Sequence, residues 1–256
     1  MLFPLSDDDS KISGPAYVTW VLIAINVAVF AYQSANPDFT YGWSMIPKEI
    51  MTGEDLVTPQ ILEARGERVQ IPQQPGPPII YLTLLSSMFM HGGVMHIGGN
   101  MLYLWIFGDN VEHRFGHALF LIFYLVSGLF ASVAQIALDP DGIIPNLGAS
   151  GAIFGVLGAY LVLFPRNKVK TVVMYYVVSM PAIFVIGIWA AMQAYFTFGA
   201  VMSTEQSGGG VAYAAHLGGM VAGIVMGLIA RGILKEERDS VIYRIDETDP
   251  KSKQWW

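Results

Sequence analysis

Charged residues fall along this chain in clusters, and the intervals between clusters are long and apolar. No Lys, Arg, Asp or Glu lies between Lys11 and Asp38, and residues 17–32 form an apolar block. Further charge-free intervals separate Arg68 from Asp109, Arg114 from Asp139, Asp141 from Arg166, Lys170 from Glu205, and Glu205 from Arg231. A helix needs about 20 apolar residues to cross the hydrocarbon core, so the pattern predicts six transmembrane helices. The second interval begins polar and rich in proline, which places its span at about residues 88–108. The first apolar block is too long for a signal peptide and no cleavage site follows it, so it reads as an anchor.

Basic residues orient the spans. With the N-terminus in the cytoplasm, Arg114, the cluster Arg166, Lys168 and Lys170, and the group Arg231, Lys235 and Arg238 all lie inside. The outer side receives only Lys48, Arg65 and Arg68, all in one long loop, as the positive-inside rule requires. The predicted architecture is an all-α membrane protein. Residues 1–14 form a cytoplasmic segment, 15–233 a six-helix domain with a long outer loop at about 36–80, and 234–256 a charged cytoplasmic tail. Within the outer loop, residues 59–69 are read as a short amphipathic surface helix. The acidic run Asp7-Asp8-Asp9 is read as solvated, and the two terminal tryptophans as interfacial.

Composition narrows the function classes. Charged residues make up 13% and hydrophobic residues 54% of the 256, against roughly 25% charged in a soluble domain. A disordered chain and an ordinary water-soluble enzyme are excluded. The net charge of −6 offers no basic surface to nucleic acid. The absence of cysteine removes disulfides, thiolate metal sites and a cysteine nucleophile.

Ionisable groups inside a bilayer are expensive and mark function by default. The predicted spans hold His91, His96 and His216, joined by Asn100 one turn after His96 and by Ser150 within Gly148-Ala149-Ser150-Gly151. No Asp or Glu interrupts a span core. The second, fourth and sixth spans all run inward, which puts all five residues in one outer layer. His216, Gly219, Gly223 and Gly227 share one helical stripe, and the fourth span carries Gly151, Gly155 and Gly158. Such stripes let helices approach closely, and packing them together brings the His216 imidazole toward the Ser150 hydroxyl. A serine hydroxyl needs an adjacent base to become a nucleophile. No span supplies the carboxylate of a triad, so the predicted centre is a Ser–His dyad, with Phe154 stacked on the imidazole. Free N–H groups at the helix start beside Ser150, with His96 and Asn100 across the site, are available to an oxyanion.

Three motifs on three spans carry a resemblance. The run His91-Gly-Gly-Val-Met-His96-Ile-Gly-Gly-Asn100, the Gly148-Ala-Ser150-Gly151 element and Ala215-His216-Leu-Gly-Gly219 resemble those of the rhomboid intramembrane serine proteases. The likeness continues through Phe107-Gly108, Glu112, Phe115-Gly116 and Tyr124-Leu-Val-Ser-Gly128. It implies a six-helix rhomboid-like bundle that cleaves transmembrane segments of other proteins. Ser150 would be nucleophile, His216 general base and acid, and His96, Asn100 and the Ser150 N–H the oxyanion site, with Gly148 beside it. His91, Phe154, Gly151, Gly219 and Gly223 would support the site, and Glu112 with Arg114 would act as scaffold at the inner end of the second span. Leu82 and Thr83 stand where many members have Trp-Arg, and Phe154 where many have tyrosine.

No cofactor is expected. Metal catalysis is disfavoured, because no His-Glu-x-x-His pattern is present and His91 and His96 are five residues apart. The expected partners are transmembrane protein substrates and the lipid bilayer, and the expected location is a bacterial inner membrane with the site facing outward. The segment Ser207-Gly208-Gly209-Gly210 is read as a lid, and the fifth span, with Pro181 and Gly187, as the mobile side for lateral admission of substrate. Two rivals remain: a catalytically inactive rhomboid-like client binder, whose usual signature is loss of the serine or histidine, and a small His-dependent transporter, for which the inner half holds no matching polar path.

Overall fold

A computed structural model describes residues 2–8, 14–64, 67–202 and 212–234. Six long helices dominate: α1 (Tyr17–Ala35), α5 (Val94–Phe115), α6 (His117–Leu138), α7 (Ser150–Leu163), α8 (Ala182–Met202) and α9 (Tyr213–Ile233). Short helices α2 (Pro37–Trp43), α3 (Pro47–Thr52) and α4 (Thr83–Ser86) lie between α1 and α5. Among the described residues, α1, α6 and α9 are each long and apolar enough to cross a membrane. A fourth crossing is reached if residues 80–89 and α5, bent by 77° at a short break, count as one; the apolar stretches of α7 and α8 are shorter.

Large apolar side chains face outward as well as inward. On α1 the buried residues include Thr19, Asn26 and Gln33, while Val21 and Val27 point outward. On α6, Ser127 and Ser132 are buried while Ile122, Phe130 and Val133 are exposed. A rim of large apolar side chains around a hydrophobic core that also holds polar residues is what a hydrocarbon solvent selects. The protein is a helical integral membrane protein.

Glycine decides how closely α7 and α9 meet. A methyl group on Gly219 would run into the carbonyl oxygen of Gly151, and one on Gly223 into that of Gly155. The two helices therefore touch backbone to backbone, and α6 closes on both through Ser127 and Ala131.

Several local expectations are corrected. The second long helix begins at Val94, not near residue 88, because residues 90–93 are extended behind a 3-10 turn at Ser87–Phe89. It ends at Phe115, not near Gly108, because its last turns find partners. Glu112 is fully buried and accepts the backbone N–H of Val18 at 2.9 Å and of Thr19 at 2.7 Å, the Thr19 hydroxyl at 2.7 Å, and a contact from His117. A carboxylate thus caps the start of α1, where free N–H groups and the helix dipole favour it. The Arg114 guanidinium donates to the Leu234 carbonyl at 3.2 Å.

The supposed surface helix at residues 59–69 is instead an antiparallel hairpin, β2 (Gln60–Ala64) with β3 (Glu67–Ile71). Its alternating pattern suits a pleat, and Glu63 faces Arg68 directly across the strands at 2.8 Å. Nor is the fold purely helical. Strand β1 (Leu2–Ser6) pairs antiparallel with β4 (Lys168–Val173), which pairs with β5 (Tyr176–Pro181). The β-branched run around Val169, Thr171 and Val172 favours strand, so α8 starts only at Ala182. This sheet sets the N-terminal segment beside the α7–α8 connection, the same end to which the basic residues assign both.

Asp8 is exposed as expected, but Asp7 is half-buried and partnered. Its carboxylate accepts Asn110 at 2.8 Å and the Tyr160 hydroxyl at 2.5 Å. Asp9, the glycine-rich segment 207–210 and the terminal tryptophans lie outside the described residues.

Candidate active site

Ser150 is the first residue of α7, and the loop before it is fixed from several sides. Met45 and Asn146 exchange two backbone hydrogen bonds, at 3.0 and 2.8 Å, and the Gly148 N–H donates to the Ser87 carbonyl at 2.9 Å. The segment between α1 and α5 contributes further ties, with Gln73 donating to the Ile143 carbonyl at 2.8 Å and the Lys48 N–H to that of Gly142 at 3.0 Å. Gly148 has φ +139°, a conformation other residues rarely adopt, and a Cβ there would sit 3.0 Å from the His96 ring. The glycine lets the imidazole close over the backbone just before Ser150.

His216 lies on the first turn of α9, nine-tenths buried, with its Nε2 2.8 Å from the Ser150 hydroxyl oxygen. Phe154, one turn along α7 from Ser150, stacks on the imidazole with centroids 4.3 Å apart and planes 11° from parallel. The glycine contacts described above set this separation. Gly151 and Gly219 form the pair of helix surfaces directly beneath the serine and histidine, and Gly223 continues the contact one turn deeper.

His96 and Asn100 lie one turn apart on α5. The Gly92 N–H donates to His96 Nδ1 at 3.2 Å. That nitrogen is therefore the unprotonated one, and Nε2 carries the proton on the side that meets Gly148. Asn100 is buried, and its amide nitrogen has no hydrogen-bond partner among the described residues. The His96 donor thus meets the loop just before α7, whose first N–H groups are free of intrahelical acceptors. His91 is fully buried, edge-on to His96 at 5.1 Å between centroids. A cavity of about 40 Å³ adjoins Ser150, bordered by Ser87, Gln135, Gly148 and Ala215, with room for a water molecule.

Two polar residues of this site are invisible to the motif pattern. Gln33 of α1 clamps the backbone of His91, donating to its carbonyl at 2.7 Å and accepting its N–H at 2.9 Å. Gln193 of α8 places its side-chain oxygen 3.0 Å from His216 Nδ1. The available signal is an amide standing within an otherwise apolar, charge-free interval, which is costly unless partnered.

Residues 80–233 match the family described as Rhomboid domain. The chain is 29% identical over 228 residues to "Rhomboid protein 1, mitochondrial" of Saccharomyces cerevisiae, covering 88% of this chain and 56% of that protein. It is 41% identical over 85 residues to "Rhomboid protease GluP" of Bacillus subtilis, covering 33% of this chain and 16% of that protein. It is 40% identical over 78 residues to "RHOMBOID-like protein 5" of Arabidopsis thaliana, covering 30% and 25%. The chain spans little more than half the length of the longest-matched of these relatives and less of the others. With the family match covering more than half of its length and reaching from the turn before α5 to the end of α9, this chain belongs to the rhomboid family.

Proposed function

We propose that this protein is an intramembrane serine endopeptidase that hydrolyses peptide bonds in or near the transmembrane segments of other membrane proteins. The observation that carries the reading is the 2.8 Å contact between Ser150 Oγ and His216 Nε2, held in a buried layer by backbone-level packing of α7 on α9. Ser150 attacks the scissile carbonyl as His216 Nε2 takes its proton. The developing oxyanion is received by His96 Nε2–H, the Asn100 amide and the Ser150 N–H, beside Gly148. His216 then passes the proton to the leaving amine, and water, admitted through the cavity beside Ser150, hydrolyses the acyl-enzyme. Substrates with helix-breaking residues are preferred, because an intact helix has its carbonyls hydrogen-bonded and shielded.

The reading includes six spans. α7 and α8, short as they are, complete the bundle around the dyad, both described ends lie inside, and the site opens toward the outer face. This topology draws on the basic-residue distribution and on the β1–β4 pairing, which brings the N-terminal strand to the α7–α8 end. A bacterial inner membrane accords with the Bacillus relative, while the yeast relative bears a mitochondrial name. The substrate side is supported by the relative named as a rhomboid protease.

The test uses purified protein, a fluorophosphonate probe and a transmembrane reporter substrate, with Ser150→Ala as control. Labelling and cleavage in the parent, both lost in the variant, are expected. Labelling that persists in Ser150→Ala removes this serine from the mechanism, and a parent inert in both assays favours a client-binding role.

A further inference from the structure

His216 is held from a third side, by a helix that carries none of the family-like motifs. Gln193 lies mid-way along α8, and its side chain is almost fully buried. Its Oε1 stands 3.0 Å from His216 Nδ1, while His216 Nε2 faces Ser150. For Nε2 to accept the serine proton it must hold a lone pair, so the single proton of the neutral ring sits on Nδ1. That N–H is enclosed and needs an acceptor. The amide cannot be reversed, because its NH2 would then confront the Nδ1–H. The orientation of Gln193 and the tautomer of His216 therefore determine each other.

We propose that Gln193 is a positioning residue that fixes the His216 tautomer by accepting the Nδ1–H hydrogen bond, so that the Ser150–His216 dyad is held by a third side chain that itself takes no proton. A neutral amide does here what a carboxylate does in a triad, without placing an anion in the bilayer. Trp189, one turn earlier on α8, packs beside Phe154 at 6.4 Å between centroids, and Phe154 stacks on the imidazole. α8 thus touches the ring at its edge and backs the residue on its face. The centre is complete only while α8 is seated against α9, so displacement of α8 releases the tautomer along with the packing. The tautomer and its part in proton transfer both rest on the proteolytic reading above; the 3.0 Å contact of Gln193 with His216 does not.

The experiment is nitrogen NMR of the full chain, histidine-labelled with ¹⁵N, in detergent micelles, with the His216 signals identified by their loss in His216→Asn. Fluorophosphonate labelling is measured in parallel. The parent is expected to show His216 protonated on Nδ1. Gln193→Met, of similar length but lacking the acceptor, gives a tautomer mixture and labels about tenfold more slowly. Gln193→Glu, which retains an acceptor, restores both. A parent His216 protonated on Nε2 overturns the proposal, as does a Gln193→Met protein with unchanged tautomer and labelling. Should Gln193→Met fail to fold, the parent spectrum and Gln193→Glu decide. A parent that ignores the probe yet loses its Nδ1–H form in Gln193→Met upholds the positioning role and refutes proteolysis.

Discussion

Gly219→Ala isolates the contact on which the catalytic geometry depends. Gly219 is one turn past His216 on α9, and an added Cβ overlaps the main-chain oxygen of Gly151, the residue after Ser150. Carbon and carbonyl oxygen do not approach closer than about 3.3 Å, so the helices must part by roughly 1 Å at that level. The Ser150–His216 separation of 2.8 Å then passes beyond hydrogen-bond reach, at about 3.8 Å. A misplacement of about 1 Å lowers turnover by roughly 10²-fold, while overpacking costs about 1–3 kcal/mol of stability. No second side-chain substitution relieves the clash, because the obstacle is backbone. Cleavage of a transmembrane reporter in detergent gives kcat, and thermal unfolding of the same preparation separates geometry from collapse. Gly232→Ala is the control: it lies on the same helix, and an added Cβ there would meet no described atom within 4 Å. Gly219→Ala protein that cleaves at the parental rate refutes the claim that backbone contact sets the dyad.

Three other outcomes follow from the same contacts. Asn100→Ala removes a buried amide nitrogen with no described partner to lose, so kcat falls by about 10²-fold with unfolding temperature unchanged; a shift confined to KM would contradict an oxyanion role. Glu112→Ala strands the N–H groups of Val18 and Thr19 and lowers stability by about 3 kcal/mol, measured by thermal unfolding, with Glu112→Gln intermediate. On α3, burial first and the neighbouring Asp55 second push the Glu49 carboxyl from 4.5 up to about 7. The folded state therefore binds this proton more tightly than the unfolded state does. Its stabilisation is complete below about pH 4.5 and is lost as pH rises through 7. Hydrogen exchange at Leu56, whose N–H donates to Glu49, should quicken between pH 6 and 8 by more than the intrinsic pH effect, by up to about 10-fold, and Glu49→Gln should remove the excess.

The helical stripes and the polar layer are readable in the sequence because both are periodic. Glycine and histidine at three- and four-residue intervals fix which faces meet, and that alone brings Ser150 to His216. Phe154 follows from the same period. The hairpin at β2–β3 is not readable as such, since its alternation is short and a surface helix accommodates the same residues. The β1–β4–β5 sheet depends on pairing residues far apart along the chain, Leu2 with Val173, which no local window contains. Asp7 reads as solvated for the same reason: its partners Asn110 and Tyr160 come from α5 and α7. Gln33 and Gln193 are single amides without a spacing, so only the three-dimensional arrangement assigns them partners.

The pairing of β1 with β4 also has a history during synthesis. Leu2 sits opposite Val173, so the first strand is made about 170 residues before its neighbour exists. At typical elongation rates of about 5–20 residues per second, it waits roughly 10–30 s. Throughout that time its main-chain donors and acceptors are open to any passing strand. Closure of this sheet is therefore a late event that follows synthesis of α1, α5, α6 and α7, and a nascent chain halted before residue 168 would leave β1 unpaired.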